Sequence, residues 1–173
     1  MYAPKGIGAL YIKQNTPISP IVYGGGQEYG IRSGTLNTAG IAGLGEAVRL
    51  LTLPEHQEAV AKVRDLRNTL LDQLLQIKGI TLNGDRANRL PQNINITIAG
   101  QSAEKIVIAS DLAGLAISAG SACHSGAMQE SEVIKAISPN KQEKAKQSIR
   151  ISLSQFSTEE ETQATYNIIK KII

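Results

Sequence analysis

Aromatic residues are nearly missing from this chain: they make up 3% of its 173 residues, with no tryptophan and a single phenylalanine. The core must therefore be aliphatic, built from Leu, Ile, Val and Ala. The shortage also argues against a single-stranded nucleic-acid binder, because bases would find few rings to stack on. Cysteine is as scarce. Cys123 stands alone, and the histidines number two, His56 and His124. One cysteine excludes an internal disulfide, and two histidines cannot complete a cysteine-based zinc site. Such usage suits a reducing cytoplasm. No apolar run approaches a membrane span. The opening Met1–Gly6 stretch lacks the basic start and apolar run of a signal peptide. Strong charge is missing too. The net charge is +3, from 18 basic and 15 acidic residues. Basic residues interleave with acids, as in Lys62, Arg64, Asp65 and Arg67, which reads as a solvated helix face rather than a nucleic-acid surface.

Present instead is 42% hydrophobic content, enough to exclude disorder and to fill one domain, or a small domain with an extra piece. Residues 6–12 are apolar on both faces and read as a strand buried on both sides, whose sheet partners must come from elsewhere. A Gly-rich loop spans 24–35. Asn37 or Thr38 caps a helix to about Leu53, and Pro54 opens a second helix. The second helix carries a stripe of Val60, Val63, Leu66, Leu70, Leu74 and Ile77, and Gly79 ends it. Ile80–Leu82 and the alternating Asn93–Ile98 read as strands. Ser102 caps a helix to about Leu112, and Ala116–Ser118 is a short strand leading to the cysteine. A helix follows over Ser131–Ile137, then a strand over Ile149–Leu153. Thr158 with Glu161 forms a capping box that opens the last helix. The fold class is α+β: short strands in one layer, covered by helices.

Three places carry candidate chemistry. Cys123 lies in Ser118-Ala119-Gly120-Ser121-Ala122-Cys123-His124-Ser125, a small, polar, glycine-punctuated segment. A lone cysteine is commonly a small buried hydrophobe. Here the neighbours are not apolar, so the thiol is better placed for chemistry, as a nucleophile or sulfur acceptor. His124 is adjacent but need not face it. The Gly-rich loop has neither P-loop nor dinucleotide-binding spacing. Ser33, Gly34 and Thr35 nevertheless lead into a helix N-terminus, where a phosphate could sit, or the loop is simply a tight turn needing positive φ. Arg150 falls mid-strand, with Ile149 and Ile151 on the opposite face and Ser148 and Ser152 on its own. It can fork onto a carboxylate, or it is an exposed strand arginine.

Five segments together resemble the pyridoxal-phosphate-dependent cysteine desulfurases. They are Tyr2–Tyr11, Gly24–Thr35, Leu82–Asp85, Ser118–Cys123 and Ser148–Ser152. The resemblance covers essentially the whole chain and is greatest to the group with a long cysteine-bearing loop, which feeds iron–sulfur cluster and thiolation pathways. It implies the small C-terminal domain of a fold-type-I enzyme at 54–173, preceded by the end of the large cofactor domain at 1–53. It further implies that Cys123 carries a persulfide and that Arg150 binds the carboxylate of L-cysteine. Thr35 would reach the cofactor phosphate of the neighbouring subunit in a homodimer. The implied partners are L-cysteine and a sulfur-acceptor or scaffold protein, with no nucleic acid and no membrane.

By the same resemblance, Met1 falls just after the position of the cofactor-binding lysine. That lysine, the ring-stacking histidine and the aspartate facing the pyridine nitrogen would all lie upstream. Lys5 belongs to the motif after that lysine and does not replace it. The expectation is then a desulfurase fragment that binds no pyridoxal phosphate and is inactive alone, completed by a missing N-terminal half or a homo-oligomer. The alternatives are an inert truncated fragment and a non-enzymatic persulfide relay.

Overall fold

Alternation in Asn93-Ile94-Asn95-Ile96-Thr97-Ile98 decides the architecture, because a pleated strand sends alternate side chains to opposite faces. A computed structural model describes residues 2–120, 131–139 and 143–173. In it, β1 (Ile80–Leu82), β2 (Asn93–Ile98), β3 (Ser118–Ala119) and β4 (Ser148–Ser152) form one sheet in the order β1-β2-β4-β3. Every pairing is antiparallel. Ile80, Leu82, Ile94, Ile96, Ile98, Ile149, Ile151 and Ala119 fall on one face by register. Thr81, Asn93, Asn95, Thr97, Ser148, Arg150, Ser152 and Ser118 fall on the other.

The helices are α1 (Thr38–Leu51), α2 (Pro54–Leu75), α3 (Ala103–Leu112), α4 (Glu132–Ile137), α5 (Glu143–Lys146) and α6 (Glu159–Ile172). Leu70, Leu71 and Leu74 of α2, Ile106 of α3 and Ile169 of α6 join the sheet isoleucines in one buried cluster. Each fully buried Leu or Ile contributes about 1.5–3 kcal/mol by leaving water. The aliphatic core expected from the composition, and the α+β class expected from the order of strands and helices, are what the chain folds into.

Local chemistry sets the ends of these elements. Asn37 Oδ1 accepts from Gly40 N at 3.0 Å and caps α1. Ser131 Oγ caps α4 by accepting from Ile134 N at 3.3 Å. At α6 the capping box closes both ways: Glu161 N donates to Thr158 Oγ1 at 3.2 Å, and Thr158 N donates to Glu161 Oε2 at 3.0 Å. Ser102 occupies the cap position of α3 but makes no side-chain cap bond.

The chain divides into two units, Met1–Gln57 and Glu58–Ile173. In the first, α1 presents small residues to the segment before it. A Cβ built on Gly43 would lie 2.5 Å from Pro4 Cγ, so only glycine lets that ring approach. Residues 6–12 form no strand, and Leu10 and Tyr11 are exposed, against the expectation of a strand buried on both faces. A strand needs a hydrogen-bonding neighbour, and none is shown beside this segment among the described residues.

Three smaller departures follow. β3 starts two residues later than expected and ends one later, at Ser118–Ala119, and α5 was not anticipated. Arg67 is not part of a solvated face: it is 3% exposed, on the same side of α2 as Leu66, Leu70 and Leu74. No helix among the described residues is long and apolar enough to cross a membrane.

Candidate functional site

Arg150 sits at the centre of the polar face. Its register partners are Asn95 on β2 and Ser118 on β3, and Ser148 and Ser152 flank it on its own strand. The face is closed at one end and open at the other. Thr97 and Ser148 are buried, Asn95, Ser118 and Arg150 are half-buried, and Ser152 is exposed.

The closed end is a hydrogen-bonded cluster. Thr97 Oγ1 lies 3.0 Å from Ser148 Oγ and donates to Asn83 Oδ1 at 2.9 Å. Asn83 Nδ2 donates to Asn95 Oδ1 at 2.9 Å and to Ser148 Oγ at 3.0 Å. Ser148 Oγ also reaches Lys144 O on α5, so this short helix helps to cover the face. Burying hydroxyls and amides is tolerable only because each finds a partner.

A turn beyond β1 supports the cluster. Gly84, at φ +76°, lets the chain reverse after Asn83. Asp85 Oδ1 then accepts from Ala87 N at 2.7 Å and from Asn88 N. Those two N–H groups, Asn88 first, hold the Asp85 carboxyl below the usual carboxylate range. Arg89 Nη2 donates to Asn83 O, and Arg67 Nη1 donates to Arg86 O at 3.3 Å. Asp72 pairs with Arg86 at 2.6 Å. Burial pushes the Arg67 guanidinium down from its ordinary value, with the charges of Arg64 and Arg86 adding to the push. Burial does the same to Arg89, reinforced by Arg67 and opposed by Asp85. Both stay charged at neutral pH, since arginine's ordinary value lies so high. Their work here is to tie a turn to α2 and β1.

The Gly-rich loop lies in the first unit. Ser33 is buried, and its Oγ donates to Gly25 O at 2.6 Å. Gly34 N donates to Gln27 Oε1 at 3.1 Å, and Arg32 Nη1 reaches Gly34 O at 3.2 Å and Thr35 O at 3.3 Å. Glu28, Tyr29 and Gly30 are all left-handed, at φ 50°, 58° and 79°. Two such non-glycine residues in a row are costly and occur where surrounding contacts hold them. Tyr29 itself is 99% exposed.

Thr35 is exposed beyond Gly34, which has φ +108°, and two residues before the Asn37 cap. A phosphate group needs hydroxyl and main-chain donors ahead of a helix, and Thr35 fits that need. Ser33 does not, because its hydroxyl is already committed to Gly25.

Of the three sequence candidates, Arg150 and Thr35 are thus placed, each within its own unit. Cys123 and His124 lie outside the described residues. The polar cluster around Asn83 was missed by sequence reading, which counted Leu82–Asp85 among the five family-like segments but gave Asn83 no role of its own. The alternation of Asn93, Asn95 and Thr97 opposite three isoleucines was the available signal that this face is polar throughout.

Known proteins resemble this chain in sequence and in fold. Residues 1–165 match the model of the family described as Aminotransferase class-V. Curated relatives include the cysteine desulfurase IscS of Dictyoglomus turgidum, 40% identical over 99% of this chain and 43% of its own length. The cysteine desulfurase IscS 1 of Archaeoglobus fulgidus is 37% identical over 100% of this chain and 45% of its length. Among solved structures, a NifS-like protein from Rickettsia africae superposes with a TM-score of 0.78 and 32% identity, covering 91% of this chain and 41% of that one. SspA, solved in complex with cysteine, gives a TM-score of 0.60 and 29% identity over 91% of this chain and 42% of that one. The chain spans less than half the length of the curated relatives it matches. The chain belongs to the aminotransferase class-V family, with cysteine desulfurases named IscS and a NifS-like protein among those it resembles.

Proposed function

We propose that this chain is the C-terminal part of a cysteine desulfurase, with residues 1–53 ending its cofactor domain and residues 54–173 forming its small domain. The observation that carries the reading is Arg150, half-buried at the centre of a polar sheet face and facing the register partners Asn95 and Ser118. A guanidinium held there can take the carboxylate of L-cysteine through two parallel hydrogen bonds. The curated relatives that are cysteine desulfurases, and the cysteine bound to SspA, support that choice of substrate.

In this reading the Cys123 thiolate attacks the sulfur of the anchored substrate. The new bond is sulfur–sulfur. The bond that breaks joins sulfur to the substrate's β carbon, which keeps the electron pair, takes a proton and leaves as alanine. Cys123 is left as a persulfide, ready for an acceptor protein or a scaffold for iron–sulfur clusters. Pyridoxal phosphate, when bound in the whole enzyme, supplies the electron sink that makes this bond cleavage feasible. Thr35 would donate to its phosphate across a homodimer. A lone thiol with this role needs a reducing compartment, and we assign the protein to the cytoplasm.

Because the chain spans less than half of its relatives, we further propose that these residues alone do not complete the reaction. Mixing the purified chain with pyridoxal phosphate and L-cysteine is the test. The expected result is neither a cofactor absorbance band nor alanine. Release of alanine would overturn the proposal that the chain is insufficient by itself.

A further inference from the structure

We propose that Asn83 is a positioning residue for Arg150: it grips two of the four polar-face neighbours of that arginine at once and thereby fixes the place of the carboxylate anchor. The inference deepens the role proposed for Arg150 and takes its functional meaning from it.

Asn83 is 3% exposed and follows directly on β1. Its main-chain N–H extends the β1–β2 ladder by donating to Asn95 O at 2.9 Å. Its side chain then crosses the polar face. Nδ2 donates to Asn95 Oδ1 at 2.9 Å and to Ser148 Oγ at 3.0 Å, while Oδ1 accepts from Thr97 Oγ1 at 2.9 Å. Asn95 is the residue opposite Arg150 on β2, and Ser148 precedes it by two on β4, on the same face. One amide therefore holds the residue across from Arg150 and the residue beside it.

Two features show that the grip is directional. Both protons of Nδ2 are spent, so the Asn95 amide is fixed with its oxygen toward Asn83. Asn83 is itself held from behind: Arg89 Nη2 donates to its carbonyl, and Arg67 ties the same turn to α2 through Arg86 O. The turn, the amide and the two strands form one connected chain of bonds ending at Arg150's neighbours. An aliphatic residue at position 83 would leave Thr97, Ser148 and Asn95 each short of a partner on a buried face, a costly arrangement.

The test uses the full chain labelled with nitrogen-15, in wild-type form and as Asn83→Ala, Asn83→Asp and Leu71→Ala. Leu71 belongs to the apolar core and serves as a control for lost stability that leaves the polar-face bonds in place. Two signals are read: the Nε–Hε correlation of Arg150, and amide exchange along the β2–β4 ladder. Asn83→Ala is expected to shift or broaden the Arg150 signal and to speed exchange at Asn95, Thr97 and Ile149 by about 10-fold over the control. Asn83→Asp keeps the shape and the acceptor for Thr97 but loses both donors. It is expected to move the Arg150 signal as well, which keeps the test decisive if the alanine variant fails to fold. An Arg150 signal unmoved in the Asn83 variants, with exchange no faster than in Leu71→Ala, overturns the inference. Failure of the underlying reading looks different: L-alanine added to wild-type chain would leave the Arg150 signal in place, while the effect of Asn83 on that signal persisted.

Discussion

The two units of this chain handle their apolar side chains in opposite ways. In Glu58–Ile173, Leu70, Leu71, Leu74, Ile94, Ile96, Ile149 and Ile169 close into one buried cluster. In Met1–Gln57, the buried residues among those described are small: Ser33, Gly40 and Ala47. Its larger apolar side chains are half-buried or exposed, with Tyr11 89% and Ile21 93% exposed. Both units have ample hydrophobic residues, so composition is not the difference. The second unit contains strands that pair with one another, and paired strands create a face on which isoleucines can be buried. The first contains a strand-like sequence at 6–12 and a left-handed run at 28–30, and no such face is shown there among the described residues. A hydrophobic run becomes a core only where a second layer meets it.

This contrast breaks most readily at Leu71. Leu71→Ala removes a fully buried side chain from the C-terminal cluster and should cost about 2–5 kcal/mol in urea unfolding. The same truncation at Ile21 should stay within about 0.5 kcal/mol, as for exposed sites generally. Equal losses at the two positions would erase the distinction between the units. A smaller effect is expected at the last helix. Thr158→Ala opens the capping box of α6, whose Ile169 lies in the core, and should cost about 1 kcal/mol in the same experiment. If it costs nothing, α6 is held by packing alone.

The smallest expected effect is a pH dependence of the turn that supports Asn83. The folded Asp85 carboxyl is held below its unfolded value by the N–H groups of Asn88 and Ala87. Its contribution is therefore present above the unfolded value and is lost as pH falls through the folded one. Thermal unfolding of wild type and Asp85→Asn should converge on acidification below the ordinary carboxylate range. Curves that stay parallel into acid would show that the two N–H bonds do not matter to stability.

Much of the C-terminal unit was legible in the sequence because its signals are local. Strict alternation marks β2 and β4, and Thr158 with Glu161 marks the start of α6. Arg150 could be assigned to the face of Ser148 and Ser152 from period alone, and that is where it lies. What escaped depends on partners distant in sequence. The segment 6–12 has a strand's composition, but no neighbour to pair with is shown among the described residues. Arg67 sits among charged residues in sequence, yet it is buried because the carbonyl that accepts from it belongs to residue 86. Four-residue α5 has no apolar period to announce it, and its role emerges only when Lys144 O meets Ser148. Asn83 looked like turn punctuation because its partners, Asn95, Thr97 and Ser148, come from two other strands. Cys123 was legible only through its small, polar neighbours, and it lies outside the described residues.

We propose that the polar face around Arg150 receives the carboxylate of an amino acid. The decisive measurement is a titration of the nitrogen-15-labelled chain with L-alanine, which carries the carboxylate of the proposed substrate without its sulfur. Saturable shifts of the Arg150 Nε–Hε signal and of the Asn95 side-chain amide are expected, both abolished in Arg150→Lys. Shifts that are absent, or that survive unchanged in Arg150→Lys, would contradict it.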